Sequence, residues 1–284
     1  MIEIKNLTKR YGRGDGATTA LDNVSLTFED NKIYGLLGRN GAGKTTLLNV
    51  ITGRIFADGG AALADGASTR ENDTALGSIY LMSEKSGYPD NMRVREGLRW
   101  TATFYPEYDA AFADSLCRRF ELDTKKRVKS LSTGYASIFK LIVALSSGAK
   151  HVLLDEPVLG LDANHRDLFY RVLLERYAEK PSTVVVSTHL VEEVSAVIED
   201  VVIIKRGKLL LEQSRDELLA SGYTVAGFAD RVNAFAQGRR VIGEDALGGL
   251  KTAYIMGARP EVTPDGLELS RIDLQKLFVQ LTND

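Results

Sequence analysis

Gly38-Arg39-Asn40-Gly41-Ala42-Gly43-Lys44-Thr45, followed by Thr46, fits the spacing G-x-x-x-x-G-K-[ST]. Each residue type has a physical reason to stand where it does. Glycines at 38, 41 and 43 let backbone N–H groups turn inward around phosphate oxygens with no Cβ in the way. Asn40, Ala42 and Thr46 complete the loop and its exit. A helix that starts at the end of such a loop adds partial positive charge from its N-terminus. Lys44 is then placed to reach the β- and γ-phosphates of a bound nucleoside triphosphate, and the Thr45 hydroxyl to ligate Mg²⁺.

A second group follows far along the chain. Val152-Leu153-Leu154-Asp155-Glu156 is an apolar strand that delivers two adjacent carboxylates at its C-terminal end. Asp155 is the candidate for holding Mg²⁺, directly or through water, and Glu156 the candidate for polarising an attacking water. Two acids after a strand are weak evidence alone. Joined to a phosphate loop they become specific. The third group is Thr188-His189, closing the apolar run Val184-Val185-Val186. An imidazole at a strand end can contact a γ-phosphate and orient water. In isolation it reads more simply as a satisfied structural histidine.

The elements that must carry these groups are legible in outline. Ile33 to Leu37 is an apolar run that stops at Gly38, and Lys44 to Ile51 has helical spacing that stops at Gly53: strand, loop, helix. Continuous apolar runs at His151–Leu154, Thr183–Val186 and Val201–Ile204, separated by helical stretches, predict a buried parallel sheet with helices on both faces. Residues 2–34 read as a meander of antiparallel strands: Ile2-Glu3-Ile4-Lys5, Ala20 to Phe28 and Lys32-Ile33-Tyr34. The loop Gly12 to Gly16 interrupts them. Residues 57–78 are small and polar, consistent with a hairpin or loose connection. From about 85 to 150 the pattern is helical, with Arg95–Tyr105 and Ala110–Phe120 as helices. The charge run Lys125 to Lys129 reads as a solvated loop or helix end. Beyond about 214 the chain reads as a small α+β unit with strand-like Ala253–Met256 and a closing helix from Arg271 to Leu281.

Composition excludes several classes. The chain has 284 residues, about two domains' worth, and an ordinary balance of 44% apolar and 26% charged residues, so it is neither disordered nor a collagen. With 36 Lys/Arg against 38 Asp/Glu, it lacks the basic excess of a dedicated nucleic-acid binder. One cysteine, Cys117, forbids an internal disulfide framework and reads as a small helix residue. The start, Met-Ile-Glu-Ile-Lys, has no apolar signal region, and no apolar run reaches the ~18–20 residues of a membrane span. These features predict a cytoplasmic chain with any membrane role exercised through a partner.

Taken in order, the motifs resemble those of the ATP-binding subunits of ABC transporters over roughly residues 1 to 213. Leu131-Ser132-Thr133-Gly134 is similar to that family's LSGGQ signature and lies 23 residues before Asp155. Gly160-Leu161-Asp162 resembles the D-loop, His189 the switch histidine, and Tyr11 the adenine-stacking aromatic. The resemblance implies an α/β fold, a P-loop NTPase core of the ABC ATPase type. The core would carry an antiparallel β-subdomain, a helical subdomain at about 85–147 and a small C-terminal α+β appendage at 214–284.

It further implies Mg²⁺-dependent ATP hydrolysis in a dimer with a second ATPase subunit, identical or not. Ser132 and Gly134 of one subunit would cap the γ-phosphate bound by the other, with Asp162 at the junction. Such a dimer would sit on the inner face of the membrane and drive a separate permease. Two departures stand out. Tyr135 replaces the signature glutamine, which puts ribose contacts in question. In Tyr80 to Lys85 the Q-loop glutamine is missing, and register places Glu84 there, with Ser83 one step away. A Glu at this position resembles bacterial export-type systems, and Glu84 is accordingly a candidate metal ligand. The rival readings are a soluble ABC ATPase that assembles or remodels proteins, and a nucleotide-gated module with little turnover.

Overall fold

The computed structural model describes every residue except Ser86 and Asp284, and the side chain of Asp15. Strands β1 (Ile2–Tyr11) and β2 (Thr18–Phe28) pair antiparallel. β4 (Gly59–Ala64) adds to the free edge of β1, and β5 (Ala67–Ser68) adds to β4, giving the order β2-β1-β4-β5. Asp65 and Gly66 between β4 and β5 both have positive φ, as a two-residue hairpin turn needs. The inward residues Ile2, Ile4, Leu7, Leu21, Val24 and Phe28 are all buried.

β3 (Ile33–Leu37) does not join this meander, contrary to the antiparallel reading of residues 32–34. It pairs parallel with β8 (Thr183–Thr188) in a second sheet. The reason is in its composition: all five residues are buried, which only a strand covered on both faces allows. β6 (Ile79–Met82), β7 (His151–Asp155), β9 (Asp200–Lys205) and β10 (Lys208–Ser214) complete the order β10-β9-β3-β8-β7-β6. The pairs β7/β8 and β6/β7 are parallel.

α1 (Lys44–Ile51) leaves the end of β3. α2 (Asp73–Gly77) precedes β6. α3 (Val94–Phe104) and α4 (Ala110–Arg119) occupy the segment read as helical. Cys117 is buried in α4. α5 (Thr133–Ser146) is capped by Ser132, and its apolar residues Ile138, Phe139, Leu141, Ile142 and Leu145 are all buried. Burying each such side chain is worth about 1.5–3 kcal/mol. Gly97 lets α3 approach closely, since a Cβ there would stand 2.7 Å from the Phe139 ring. α6 (Ala163–Glu179) is capped by Asp162. Among the described residues no helix is long and apolar enough to cross a membrane.

Met1–His189 and Val202–Glu212 make one compact unit, and Leu190–Val201 with Gln213–Asp284 a second. The second holds α7 (Val191–Val194), α8 (Arg215–Ala220), α9 (Ala229–Ala236) and α10 (Leu274–Thr282). Its sheet has the order β12-β13-β11-β14, from β11 (Gly222–Phe228), β12 (Arg240–Leu247), β13 (Leu250–Met256) and β14 (Leu267–Arg271). Tyr223, Val225, Val232, Ile255 and Leu269 form its core. The closing helix starts later than Arg271. That residue ends β14, and Asp273 caps α10 by accepting from the Lys276 backbone N–H.

His151, at the start of β7, is fully buried beside Asp65, with Nε2 3.5 Å from its carboxylate. Burial pushes its pKa down to about 4 from an ordinary 6.5. The unfolded chain therefore takes up a proton between those values that the folded chain refuses. Stability is complete above about pH 6.5 and falls as pH drops to about 4, by about 3 kcal/mol in all. Thermal melts at pH 7.5 and 4.5 should show this loss in the wild type and a much smaller one in His151→Leu. Equal losses would place the acid sensitivity elsewhere.

Candidate functional site

The loop between β3 and α1 has the geometry its glycines imply. A Cβ on Gly38 would lie 2.7 Å from the Ile204 carbonyl oxygen, and one on Gly43 only 2.5 Å from that of Ala20. Gly41 has φ +79°, which side chains rarely adopt. The loop closes on itself through the Ala42 N–H, which donates to the Arg39 carbonyl at 3.0 Å. Arg39 and Asn40 are exposed at its tip and Thr46 is half-buried in the first turn of α1.

Lys44 is buried inside the loop. Its ammonium donates to the Gly38 carbonyl at 2.7 Å and stands 3.8 Å from Glu156 Oε1. Burial lowers its pKa, against the pull of Glu156 and Asp155, which face it and favour the charged form. The Thr45 hydroxyl donates to Asp155 Oδ2 at 2.8 Å, so the two candidate metal ligands converge although 110 residues apart. The Ser187 hydroxyl donates to the other Asp155 oxygen at 2.8 Å.

Glu156 sits where β7 ends, with φ +48°, and its N–H donates to the Ser187 carbonyl at 2.8 Å. Such a conformation is costly for a residue with a side chain and tends to mark functional positions. Both carboxylate oxygens are engaged: Oε1 lies 2.9 Å from His189 Nδ1, and Oε2 accepts from the Thr188 hydroxyl at 3.0 Å. The carboxylate and imidazole that the sequence named separately are thus one hydrogen-bonded pair, beside a lysine. This arrangement can take a proton from a water while a cation steadies the negative charge of a phosphate.

Thr45, Asp155 and Glu156 line a cavity of about 810 Å³ together with Ser83, Glu84 and Lys140. The Lys140 ammonium donates to the carbonyls of Ser83 and Glu84, at 3.1 and 2.7 Å, tying the loop after β6 to α5. The Ser83 hydroxyl accepts from Arg54 at 2.8 Å, whereas the Glu84 side chain is exposed. Leu131 and Thr133 of the signature-like segment also line the cavity, but Ser132, Gly134, Asp162, His189 and Tyr11 do not.

Those outlying residues have local partners. Ser132 accepts from the Tyr135 N–H at 3.4 Å. A Cβ on Gly134 would lie 2.9 Å from the Gly160 carbonyl, so the signature-like and D-loop-like segments touch within one chain. The Asp162 carboxylate accepts from the His165 N–H and pairs with its ring Nδ1, both at 2.9 Å. Tyr11 closes β1, exposed, with the Lys9 ammonium 5.6 Å from its ring centre.

Sequence reading missed Ser187 and Lys140, and named Thr188 beside His189 without a role for its hydroxyl. Ser187 and Thr188 carried a signal: hydroxyls ending a buried apolar strand need acceptors, and the nearest are the carboxylates of the neighbouring strand. Lys140 carried none, because its partners are backbone carbonyls.

This fold and this loop define a nucleotide-binding cassette with a P-loop at the strand-to-helix turn. The ABC transporter family model matches residues 21–159. The ABC transporter ATP-binding protein YtrB of Bacillus subtilis is 31% identical over 218 residues, covering 77% of this chain and 73% of that protein. The lantibiotic transport ATP-binding protein SrtF of Streptococcus pyogenes is 30% identical over 224 residues, covering 76% and 92%. Among solved structures, the bacterial ABC transporter cassette MJ0796, described as dimeric, superposes with a TM-score of 0.68 at 23% identity, covering 76% of this chain and 99% of that one. The chain belongs to the ABC transporter family as an ATP-binding, ATP-hydrolysing subunit.

Proposed function

We propose that this chain is one half of a pair of ATPase subunits that drives export through a separate membrane permease. What carries the reading is the convergence of Lys44, Thr45, Asp155, Glu156 and His189 on one strand-end surface. Lys44 and the backbone of Gly38 to Gly43 bind the phosphates, with Asn40, Ala42 and Thr46 completing the loop. Glu156 is the base that takes the proton from the attacking water, and His189 orients it. Mg²⁺ fits the donor set: a hydroxyl and a carboxylate meet, both hard oxygen ligands, with the second carboxylate oxygen fixed by Ser187. Thr45 and Asp155 would hold the ion, with Glu84 as a further ligand from the cavity wall. When bound, it supplies charge neutralisation at the β- and γ-phosphates.

Ser132 and Gly134 act on the nucleotide of the partner subunit, with Asp162 at the contact and Tyr11 beside the base. Residues 1–213 form the ATPase module, with its helical part at about 85–147, and 214–284 are accessory. For the permease contact, a cavity of about 460 Å³ is lined by Tyr88, Trp100, Phe104 and Tyr105. Trp100 and Phe104 are 40% and 60% exposed there. Exposed aromatics around a cavity suit an apolar helix from a partner. Export follows from Glu84 in the Q-loop position and from the likeness to SrtF, whose name is that of a lantibiotic transport protein.

Affinity purification from detergent-solubilised membranes tests the reading. The wild type should retain a multi-span membrane chain. A Trp100→Ala/Phe104→Ala variant should lose at least about tenfold of it while still binding ATP. Recovery of soluble chains alone, or unchanged retention by the variant, would overturn it.

A further inference from the structure

The charge run Lys125-Lys126-Arg127 is joined in the fold by a second set of cations some thirty residues earlier. The Val94 N–H donates to the Lys126 carbonyl and the Arg95 N–H to that of Thr124, both at 3.0 Å. The Val128 N–H donates to the Met92 carbonyl at 2.9 Å. Residues 92–95 and 124–128 therefore run side by side, and Arg93 faces Arg127 across an antiparallel bridge. Direct bridge partners carry their side chains on one face, and like charges so placed repel. Arg95 and Arg99, one turn apart, extend the patch along α3.

All six cations are exposed. Segments 93–99 and 123–127 hold them against two acids, Glu96 and Asp123, in a chain whose net charge is −2. Both acids are engaged by the backbone: Glu96 accepts from the Arg93 N–H and Asp123 from the Lys125 N–H, each at 2.9 Å. Among the described residues no carboxylate forms an ion pair with any of the six. The exposed Arg119 of α4, by contrast, pairs with Glu175. Lys129 lines the nucleotide cavity and does not belong to the patch. What remains is an exposed, self-repelling cluster of cations that an extended anionic surface would relieve.

α3 indicates which surface. It buries Val94, Gly97, Leu98 and Thr101. Trp100 and Phe104, the aromatics offered to the permease, stand exposed on the strip beside Arg95 and Arg99. The cations thus rim a face turned to a membrane chain, and what surrounds a membrane chain is a headgroup layer.

We propose that this patch docks on the anionic lipid headgroups around the permease. Its guanidiniums pair with lipid phosphates in the two-pronged geometry they favour. A cluster of four to eight cations is what an anionic leaflet attracts. The choice of lipid over other polyanions rests on the permease contact proposed above; the attraction itself does not need the permease.

The test is sedimentation of the full chain, with no permease present, on vesicles of phosphatidylcholine alone or in equal parts with phosphatidylglycerol. The chain should bind the mixed vesicles, less tightly as salt rises, and the neutral ones at least about tenfold more weakly. Each cation near such a surface contributes roughly fivefold in affinity. Arg95→Gln/Lys126→Gln/Arg127→Gln should therefore lose about a hundredfold while keeping its melting temperature and its affinity for a fluorescent ATP analogue. Arg239→Gln/Arg240→Gln/Arg259→Gln makes the same change in net charge on exposed residues of the second unit and should bind like the wild type. Absence of binding to the mixed vesicles would overturn the proposal, as would equal losses in the two triple variants. So would release from the vesicles by inorganic phosphate at matched ionic strength, or a DNA duplex bound as tightly as the vesicles. Permease retention is scored separately in the membrane purification, so failure of one contact is not mistaken for failure of the other.

Discussion

Glu156→Gln should still hold ATP but turn it over at least ~10²-fold more slowly, the usual contribution of a positioned general base. The substitution keeps the shape of the side chain and an oxygen for the Thr188 hydroxyl, now 3.0 Å away. It leaves Thr45 and Asp155 untouched. What disappears is the carboxylate that lies 2.9 Å from His189 Nδ1 and that we propose takes the proton from water. Phosphate release and binding of a fluorescent ATP analogue, measured side by side, separate the two effects. A rate within a few fold of wild type would mean that Glu156 is not the base.

Lys44→Ala should instead fail at binding. Its ammonium is buried in the loop that would surround the phosphates. A charge-assisted contact to a buried phosphate is worth about 1.5–3 kcal/mol, or roughly a ten- to hundred-fold loss of affinity. The change removes a cation facing Asp155 and Glu156, so their mutual repulsion rises as well. The same fluorescent analogue reports the result, and unchanged affinity would mean that the loop does not hold the phosphates.

The contrast between these two residues shows what the sequence could carry. Lys44 lies in a contiguous motif whose chemistry follows from local backbone geometry, so strand, loop and helix were all legible. The Glu156–His189 pair joins residues 33 apart, and it was predictable only because both end buried apolar strands that a parallel sheet places side by side. β3 was misplaced for the opposite reason: a three-residue window at 32–34 cannot distinguish an antiparallel edge from a strand buried on both faces. Gly134, in the first turn of α5, against Gly160 is a contact between a helix start and a loop, and no periodicity announces it. The late start of α10 turns on one capping aspartate, Asp273, next to a strand end.

The central claim is that the site is completed by the signature-like segment of a second subunit, and thiol crosslinking addresses it most directly. Cys117 is the one cysteine, buried, with its thiol pushed up to about 11 by burial, so the background is quiet. In Glu156→Gln, cysteines placed at Arg39 in the loop tip and at Thr133 beside Ser132 are both exposed in the single chain. The account predicts that Mg²⁺ and ATP together produce a crosslinked species of two chains, joined from the loop of one to the signature-like segment of the other. A two-chain product that forms equally without ATP, or none at any ATP concentration, would contradict it.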